Sequence, residues 1–323
     1  MSRRLDLKVG FSCNNNCIFC AQAHKRHLGD RSTEELKKDL ESALENGCTE
    51  VVFTGGEPTI RKDIFELVAY AKDLGYKLIQ IQTNGRMFYY KKFVEKIIRV
   101  GATEFSPAIH GYNSKIHESQ TRAPGSFKQT ITGIKNLKEL GQYVITNSVI
   151  TKINYKTLPQ LARLLIDLKV DQFQFAFVHP CGNAWKNFDI VVPRKTEVAP
   201  FIHKALDIAK DAGYKPGQVM VEAFPFCFMQ GYESFCSELY IPKEEVRDPE
   251  MVIKQFENWR IQIGKKKFPQ CKNCKFELIC EGPWKEYPER FGSEEFKPVK
   301  GEKIKDVREL ELLKFRRVDL LEV

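Results

Sequence analysis

Leu5-Asp6-Leu7-Lys8-Val9-Gly10-Phe11-Ser12-Cys13-Asn14-Asn15-Asn16-Cys17-Ile18-Phe19-Cys20 is the stretch on which the reading of this chain turns. Leu5–Phe11 is short, β-prone and bounded by a polar run, the signature of a strand. The strand empties directly into a loop that carries three cysteines. Working outward, further strands are predicted at Glu50–Phe53, Lys77–Gln82, Glu104–Ile109, Val144–Thr151 and Gln172–Val178. Amphipathic helical runs separate them: Thr33–Glu45, Ile64–Leu74, Phe93–Val100, Phe127–Leu140 and Leu158–Leu168. Asn46-Gly47, Leu74-Gly75 and Leu140-Gly141 read as glycine stops after helices. Strands alternating with helices predict an α/β fold with a parallel sheet, and right-handed crossovers can roll it into a partial (β/α)6 barrel of the TIM type. Barrels of that type gather their chemistry at the carboxyl ends of the strands, where the chain's polar motifs fall.

After about residue 195 the rhythm changes. Pro200–Ala212 reads as one more helix and Gln218–Ala223 as one more strand. From Phe224 onward the sequence is loop-rich, aromatic and cysteine-bearing, so residues 1–213 are expected to form the barrel and 214–323 a small cysteine-rich domain. The charged tail Lys303–Val323 is expected to hold a docked helix. The chain of 323 residues has no apolar run long enough to span a membrane and no apolar segment after Met-Ser-Arg-Arg. A cytoplasmic protein with no membrane partner is therefore expected. The formal net charge of +9 permits an anionic substrate or nucleic acid. Lysines and arginines spread along the whole chain read as a solvated surface, so no nucleic-acid partner is expected.

Ten cysteines in a reducing compartment do not suggest a disulfide framework, and clustering at 13–20 and 271–280 points to metal ligation. Cys13, Cys17 and Cys20 stand at C-x3-C-x2-C spacing. Three thiolates on one loop can hold three irons of a cubane 4Fe–4S cluster and leave the fourth open. Zinc, completed by His24 or His27, is the rival.

This spacing in the first strand-to-helix loop resembles the radical S-adenosylmethionine (SAM) superfamily, with Phe19 matching the aromatic before the third cysteine. The resemblance implies that the open iron chelates SAM. Reductive cleavage then yields a 5′-deoxyadenosyl radical that abstracts a substrate hydrogen. Thr54-Gly55-Gly56-Glu57-Pro58 resembles the family's segment for the SAM amino group, and Thr83-Asn84-Gly85 its third-strand polar contact. Ala108-Ile109-His110-Gly111, His117-Glu118 and Gly125-Ser126-Phe127 resemble the fourth-strand region of members with SPASM or Twitch domains. Ala108 stands where a serine is expected, and His110 where an aspartate is common. His110 reads equally as a substrate-facing group or a loop support. Ser126 is implied either as a helix cap or as a contact to the SAM carboxylate. Asn147 matches the fifth-strand contact to SAM ribose or carboxylate, and the resemblance lays Phe175, on the sixth strand, against the adenine. Cys181 reads as a plain loop cysteine, and Cys48 has no assigned role.

Cys271, Cys274 and Cys280 form C-x2-C-x5-C, with Cys227 and Cys236 upstream. Three such thiolates and one from upstream complete a ligand set for a second 4Fe–4S cluster, with structural zinc as the rival. The spacing resembles part of the SPASM pattern, whose next cysteine is replaced here by Trp284. One auxiliary cluster on Cys227, Cys271, Cys274 and Cys280 is expected, with Cys236 as the substitute for Cys227.

The resemblance also implies an electron donor such as ferredoxin or flavodoxin. Relatives of this type include peptide maturases and enzymes that build cofactors. Thr121-Arg122 and Gly125-Ser126-Phe127 resemble the GTP cyclases of molybdenum-cofactor synthesis, but the ending Leu321-Glu322-Val323 lacks their glycine pair. The first strand begins near residue 5, with no recognisable peptide-binding winged-helix segment ahead of it. The expectation is a small molecule or cofactor precursor, with a peptide, then RNA, as alternatives. A non-catalytic iron–sulfur redox protein is the reading from another class, and the Gly-Gly-Glu-Pro segment speaks against it.

Overall fold

A computed structural model describes residues 3–310. Nine strands form one sheet in the order β7-β6-β5-β4-β3-β2-β1-β8-β9. The predicted strands appear as β1 (Arg3–Lys8), β2 (Cys48–Thr54), β3 (Leu78–Thr83), β4 (Glu104–Pro107), β5 (Tyr143–Ile150), β6 (Gln172–Phe177) and β7 (Val219–Glu222). These pair in parallel along the chain, as strand–helix repeats require. The sheet is an unclosed partial barrel.

The helices form where their patterns placed them. α1 (Thr33–Glu45) starts at a capping box, in which Ser32 accepts from the Glu35 amide and Glu35 from the Ser32 amide, and it buries Leu36, Leu40 and Ala43. α2 (Ile64–Asp73), α3 (Lys91–Val100), α4 (Ser114–Thr121), α5 (Ser126–Glu139) and α6 (Leu158–Asp167) follow, α4 being unforeseen. The last predicted helix is longer, Lys195–Asp211. The glycine stops hold, since Gly47, Gly75 and Gly141 take φ of +86°, +94° and +69°.

Two faces of the sheet differ in kind. Leu5, Leu7, Val51, Phe53, Ile79, Ile81, Phe105, Phe173 and Phe175 pack with the helices in one apolar core. The opposite face is polar: Arg4 lies beside Glu50, and Asp6, Val52, Gln80 and Glu104 share a row. Farther along, Ala108, Asn147, Gln174 and Met220 share another. This polar face is the concave one, away from the helices, and Arg4, Gln80 and Glu104 on it are themselves buried.

The sheet is larger than the six units expected. β8 (Lys243–Arg247) pairs in parallel with the free side of β1, and β9 (Val252–Ile253) pairs antiparallel with β8. β8 reads Lys-Glu-Glu-Val-Arg and has no apolar alternation to betray it. Charge pairing takes the place of apolar burial. Glu245 is wholly buried, with Arg247 at 2.6 Å and Arg3 at 3.4 Å, and Arg247 also reaches Asp39 on α1 at 2.9 Å. The tail helix expected within Lys303–Val323 lies mostly outside the described residues, which end at Leu310.

The region after β7 is bolted to the barrel by a buried amine. Lys195 is fully enclosed, donates to the Ala223 carbonyl at 2.8 Å, and sits 3.2 Å from the Phe177 ring centroid, with Phe224 and Tyr287 completing the cage. Burial holds its pKa well below the ordinary lysine value, with the Lys265 charge acting in the same direction.

Removing Arg247 leaves the buried Glu245 carboxylate without its nearest partner. Arg247→Ala is expected to lower stability by about 3 kcal/mol in urea unfolding, whereas Arg308→Ala, on an exposed pair, is expected to change it by less than about 1 kcal/mol.

Candidate functional site

The cysteine loop leaves the carboxyl end of β1 and is held from several directions. The Asn16 and Ile18 amides donate to the Thr121 and Gln120 carbonyls at 2.9 Å each. The Arg86 guanidinium donates to the Asn14 carbonyl at 2.5 Å and the Asn15 side chain at 3.0 Å, and Arg26 donates to the Asn15 carbonyl at 2.8 Å. From the far side, Asn183 donates to the Cys17 and Cys20 carbonyls and Asn187 to that of Ile18. Neighbours thus occupy the backbone, while the Cys13, Cys17 and Cys20 thiols stand partly buried on one loop. Burial pushes the Cys13 thiol up, the Asn15 amide opposing it, and pushes Cys17 higher still, with Cys20 and Cys13 adding to it. A buried thiolate cluster of this kind needs positive charge beside it, which irons supply. The donor set therefore fits an iron–sulfur cluster. His27 is turned onto the His24 carbonyl at 2.9 Å, within its own turn.

Glu57 is the centre of the adjoining network. Its carboxylate accepts from the Thr59 amide at 3.0 Å, the Thr59 hydroxyl at 2.5 Å, the Thr83 hydroxyl at 2.5 Å and the Asn84 amide at 2.6 Å. Three of these bonds fall on Oε1 and one, from Asn84, on Oε2, which keeps a further acceptor site. Among the described residues Glu57 clasps the end of β2 to the end of β3. Burial nevertheless pushes its pKa up, against the four hydrogen bonds. Gly55 and Gly56 serve the same approach. A Cβ on Gly55, at φ +120°, would meet the Gly10 carbonyl at 2.4 Å, and one on Gly56 would meet that of Ser12 at 2.2 Å. Asn84 carries the clasp onward by donating to the Asn14 side chain at 2.6 Å, so the cysteine loop is tied to β2 through β3.

Two other expected residues, Ser126 and Phe175, are placed differently. Ser126 is the first residue of α5, wholly buried, with its hydroxyl 3.0 Å from that of Thr121, and its side chain does not cap the helix. The helix start is met instead by Glu118, which accepts from the Phe127 amide. Phe175 lies in the helix-side core, edge-on to Phe173, because its register partner is Ser148 while Asn147 on the concave face pairs with Gln174. An adenine contact from Phe175 is therefore corrected as well. Phe19 is buried against His110, ring centroids 4.7 Å apart.

His110 is a loop support. Its Nδ1 accepts from the Val149 amide, its own amide donates to His117 Nδ1, and Asn154 and Gln120 both donate to its carbonyl. Burial holds both rings below the ordinary histidine value, His117 at about 4. Asn147 Oδ1 is buried and has no hydrogen-bond partner among the described residues. Its neighbour in register is Ala108, without a hydroxyl, and the Gln174 amide turns away to Glu222. Cys181 donates to the Ala21 carbonyl at 3.3 Å and stays a loop thiol.

The second cysteine set meets in a cleft lined by Cys227, Cys271, Cys274 and Cys280 and walled by Phe276 and Phe296. Cys236 lies behind it, fully buried, lining a smaller cleft that shares Cys280. Cys227, not Cys236, is the upstream thiol at the larger cleft. Trp284, at the place of the missing cysteine, stacks on His179 with centroids 4.0 Å apart.

Sequence reading missed Arg86 and Arg26, the two cations that grip the asparagine run. Arg86 directly follows Thr83-Asn84-Gly85, and a guanidinium is the side chain best shaped to span a loop's carbonyls.

Residues 7–165 match the profile of the Radical SAM superfamily. Among curated proteins, the chain is similar to the AdoMet-dependent heme synthase of Oleidesulfovibrio alaskensis, 30% identical over 56% of this chain and 47% of that one. It is also similar to a probable GTP 3′,8-cyclase of Sulfurisphaera tokodaii, 28% identical over 57% and 59% of the two chains. The chain spans about half the length of the heme synthase relatives it matches. In fold it resembles the crystal structure of Streptococcus suis SuiB bound to S-adenosylmethionine, with TM-score 0.65 and 18% identity over 88% of this chain and 73% of that one.

Glu57→Gln puts an NH2 group against donors. It is expected to cost the cluster-free protein about 2 kcal/mol in urea unfolding, whereas a side chain waiting for a ligand amine would leave that value unchanged. His117 is neutral in the fold and has an ordinary value near 6.5, so stability is full above that pH and falls as pH drops toward 4. The thermal midpoint of the cluster-free protein is expected to fall over this window. The slope should shrink in His117→Asn, since about two and a half units correspond to roughly 3 kcal/mol.

Proposed function

We propose, from the premise that residues 7–165 belong to the radical SAM superfamily, that the chain cleaves SAM reductively and uses the 5′-deoxyadenosyl radical to take hydrogen from a small molecule or cofactor precursor. The family works with a 4Fe–4S cluster and SAM, and Cys13, Cys17 and Cys20 are the residues that would hold that cluster here. When bound, the cluster supplies the electron for cleavage. The observation that carries the reading is the pair of features on one concave face: a thiol-bearing loop at the end of β1, and an orphaned Asn147 oxygen on β5.

The chain's own groups supply position and protection. Arg86, Arg26 and Asn84 hold the asparagine run so that the thiols keep their spacing. Asn147 Oδ1 accepts from a ligand hydroxyl or amine, and a ligand fills the position that Ala108 leaves without a donor. The SAM amine is met at the end of β2, by backbone carbonyls near Gly55 and Gly56 together with Glu57 Oε2, which accepts one bond from the chain. Cys227, Cys271, Cys274 and Cys280 would hold an auxiliary 4Fe–4S cluster in the region 214–323. Two relatives are named heme synthase and GTP 3′,8-cyclase, which supports a small-molecule substrate.

The test is SAM cleavage by anaerobically reconstituted, dithionite-reduced protein. 5′-Deoxyadenosine is expected from the wild type and not from Cys17→Ala. Asn147→Leu is expected to keep wild-type iron content and bind SAM about tenfold more weakly, one lost hydrogen bond with an unmet ligand donor. Absence of 5′-deoxyadenosine with an intact, reduced cluster and cell extract present would overturn the reading.

A further inference from the structure

The face around the second cysteine cleft is basic and carries an apolar centre. Lys265–Lys275 contains five lysines and no acidic residue. Of these, Lys265 is buried, while Lys266, Lys267 and Lys272 are exposed. Lys267 and Lys297 line the cysteine cleft itself. Lys267, Lys272 and Lys303 all act on the Glu277 carboxylate, which Lys303 bonds at 2.9 Å, so these cations converge on one spot. At that spot the Cys274–Cys280 loop presents Leu278, 52% exposed, to solvent. The chain from Phe296 to Ile304 straps this loop down: Lys275 donates to the Val299 carbonyl and accepts from the Ile304 amide, and the Val299 amide points at the Cys274 sulfur. The face is thus ordered, positive at its rim and apolar at its centre.

We propose that this face is the docking surface for a small acidic electron-transfer protein, seated over the Cys271–Cys280 loop. Charge complementarity argues for that occupant, because a ring of lysines selects an acidic partner and speeds its approach. An apolar centre beside thiol ligands suits a partner that must bring a redox group close and leave again. A nucleic acid would be drawn by the same lysines but has no use for Leu278 over a cysteine cleft. The proposal rests on the reading of Cys227, Cys271, Cys274 and Cys280 as cluster ligands.

The test measures binding of flavodoxin, as the acidic probe, to the cluster-loaded protein by calorimetry. Affinity is expected to fall about tenfold between roughly 0.05 and 0.3 M salt. At low salt it should fall by about as much in K267E/K272E/K303E, and by less than about twofold in K38E/K92E/K204E, which carries the same charge change on the barrel helices. Leu278→Ser is expected to weaken binding a few-fold without altering the salt dependence. Equal affinity for the two triple variants, or no salt dependence, overturns the proposal. So does single-stranded RNA binding at this face when flavodoxin does not. Iron and sulfide content separates the two readings. A second cluster without flavodoxin binding sinks the docking surface alone, and flavodoxin binding by a protein with a single cluster sinks the ligand assignment alone.

Discussion

The structure depends on one carboxylate. Glu57 ends β2 and accepts four hydrogen bonds from Thr59, Thr83 and Asn84. Through Asn84 the same network reaches Asn14, inside the cysteine loop. A loop bearing three thiols and three asparagines has no core of its own. Its shape must be imposed from neighbouring strand ends, and the Glu57 clasp sets the distance between two of them. Gly55 and Gly56 make the clasp possible, because any side chain there would strike the backbone that leads into the loop.

Charge does elsewhere what apolar packing does in the core. The concave face pairs Arg4 with Glu50 and Lys8 with Asp6, and β8 enters the sheet on an Arg3–Glu245–Arg247–Asp39 chain of ion pairs. Such pairs contribute modest net stability but penalise any other register heavily, because a shifted strand would bury unmatched charge. The concave face can then stay polar while the strands remain in place.

Most of the barrel was legible in the sequence, because β1 to β7 and their helices follow apolar periodicities with glycine stops. β8 was not legible: Lys-Glu-Glu-Val-Arg is buried by ion pairing, which leaves no periodic trace. In the site, the cysteine loop, the strand-end motifs and the Cys227 cleft were where the spacing put them. Side-chain roles were harder to read. Glu57, Ser126 and Phe175 are on the expected segments, yet each also has partners within the protein that no motif announces. Asn147 illustrates the converse, since an oxygen without a donor is invisible until Ala108 and Gln174 are seen beside it.

The pairing of β1 with both β2 and β8 also bears on how the chain is assembled. β1 lies at Arg3–Lys8, and its second neighbour, Lys243–Arg247, follows all of β2 to β7 in the sequence. During translation the strand that feeds the cysteine loop is therefore an open edge, and it becomes an interior strand last. Long-range pairings of this kind are slow to form. The strand that feeds the cysteine loop thus owes its place inside the sheet to a pairing about 240 residues distant in sequence.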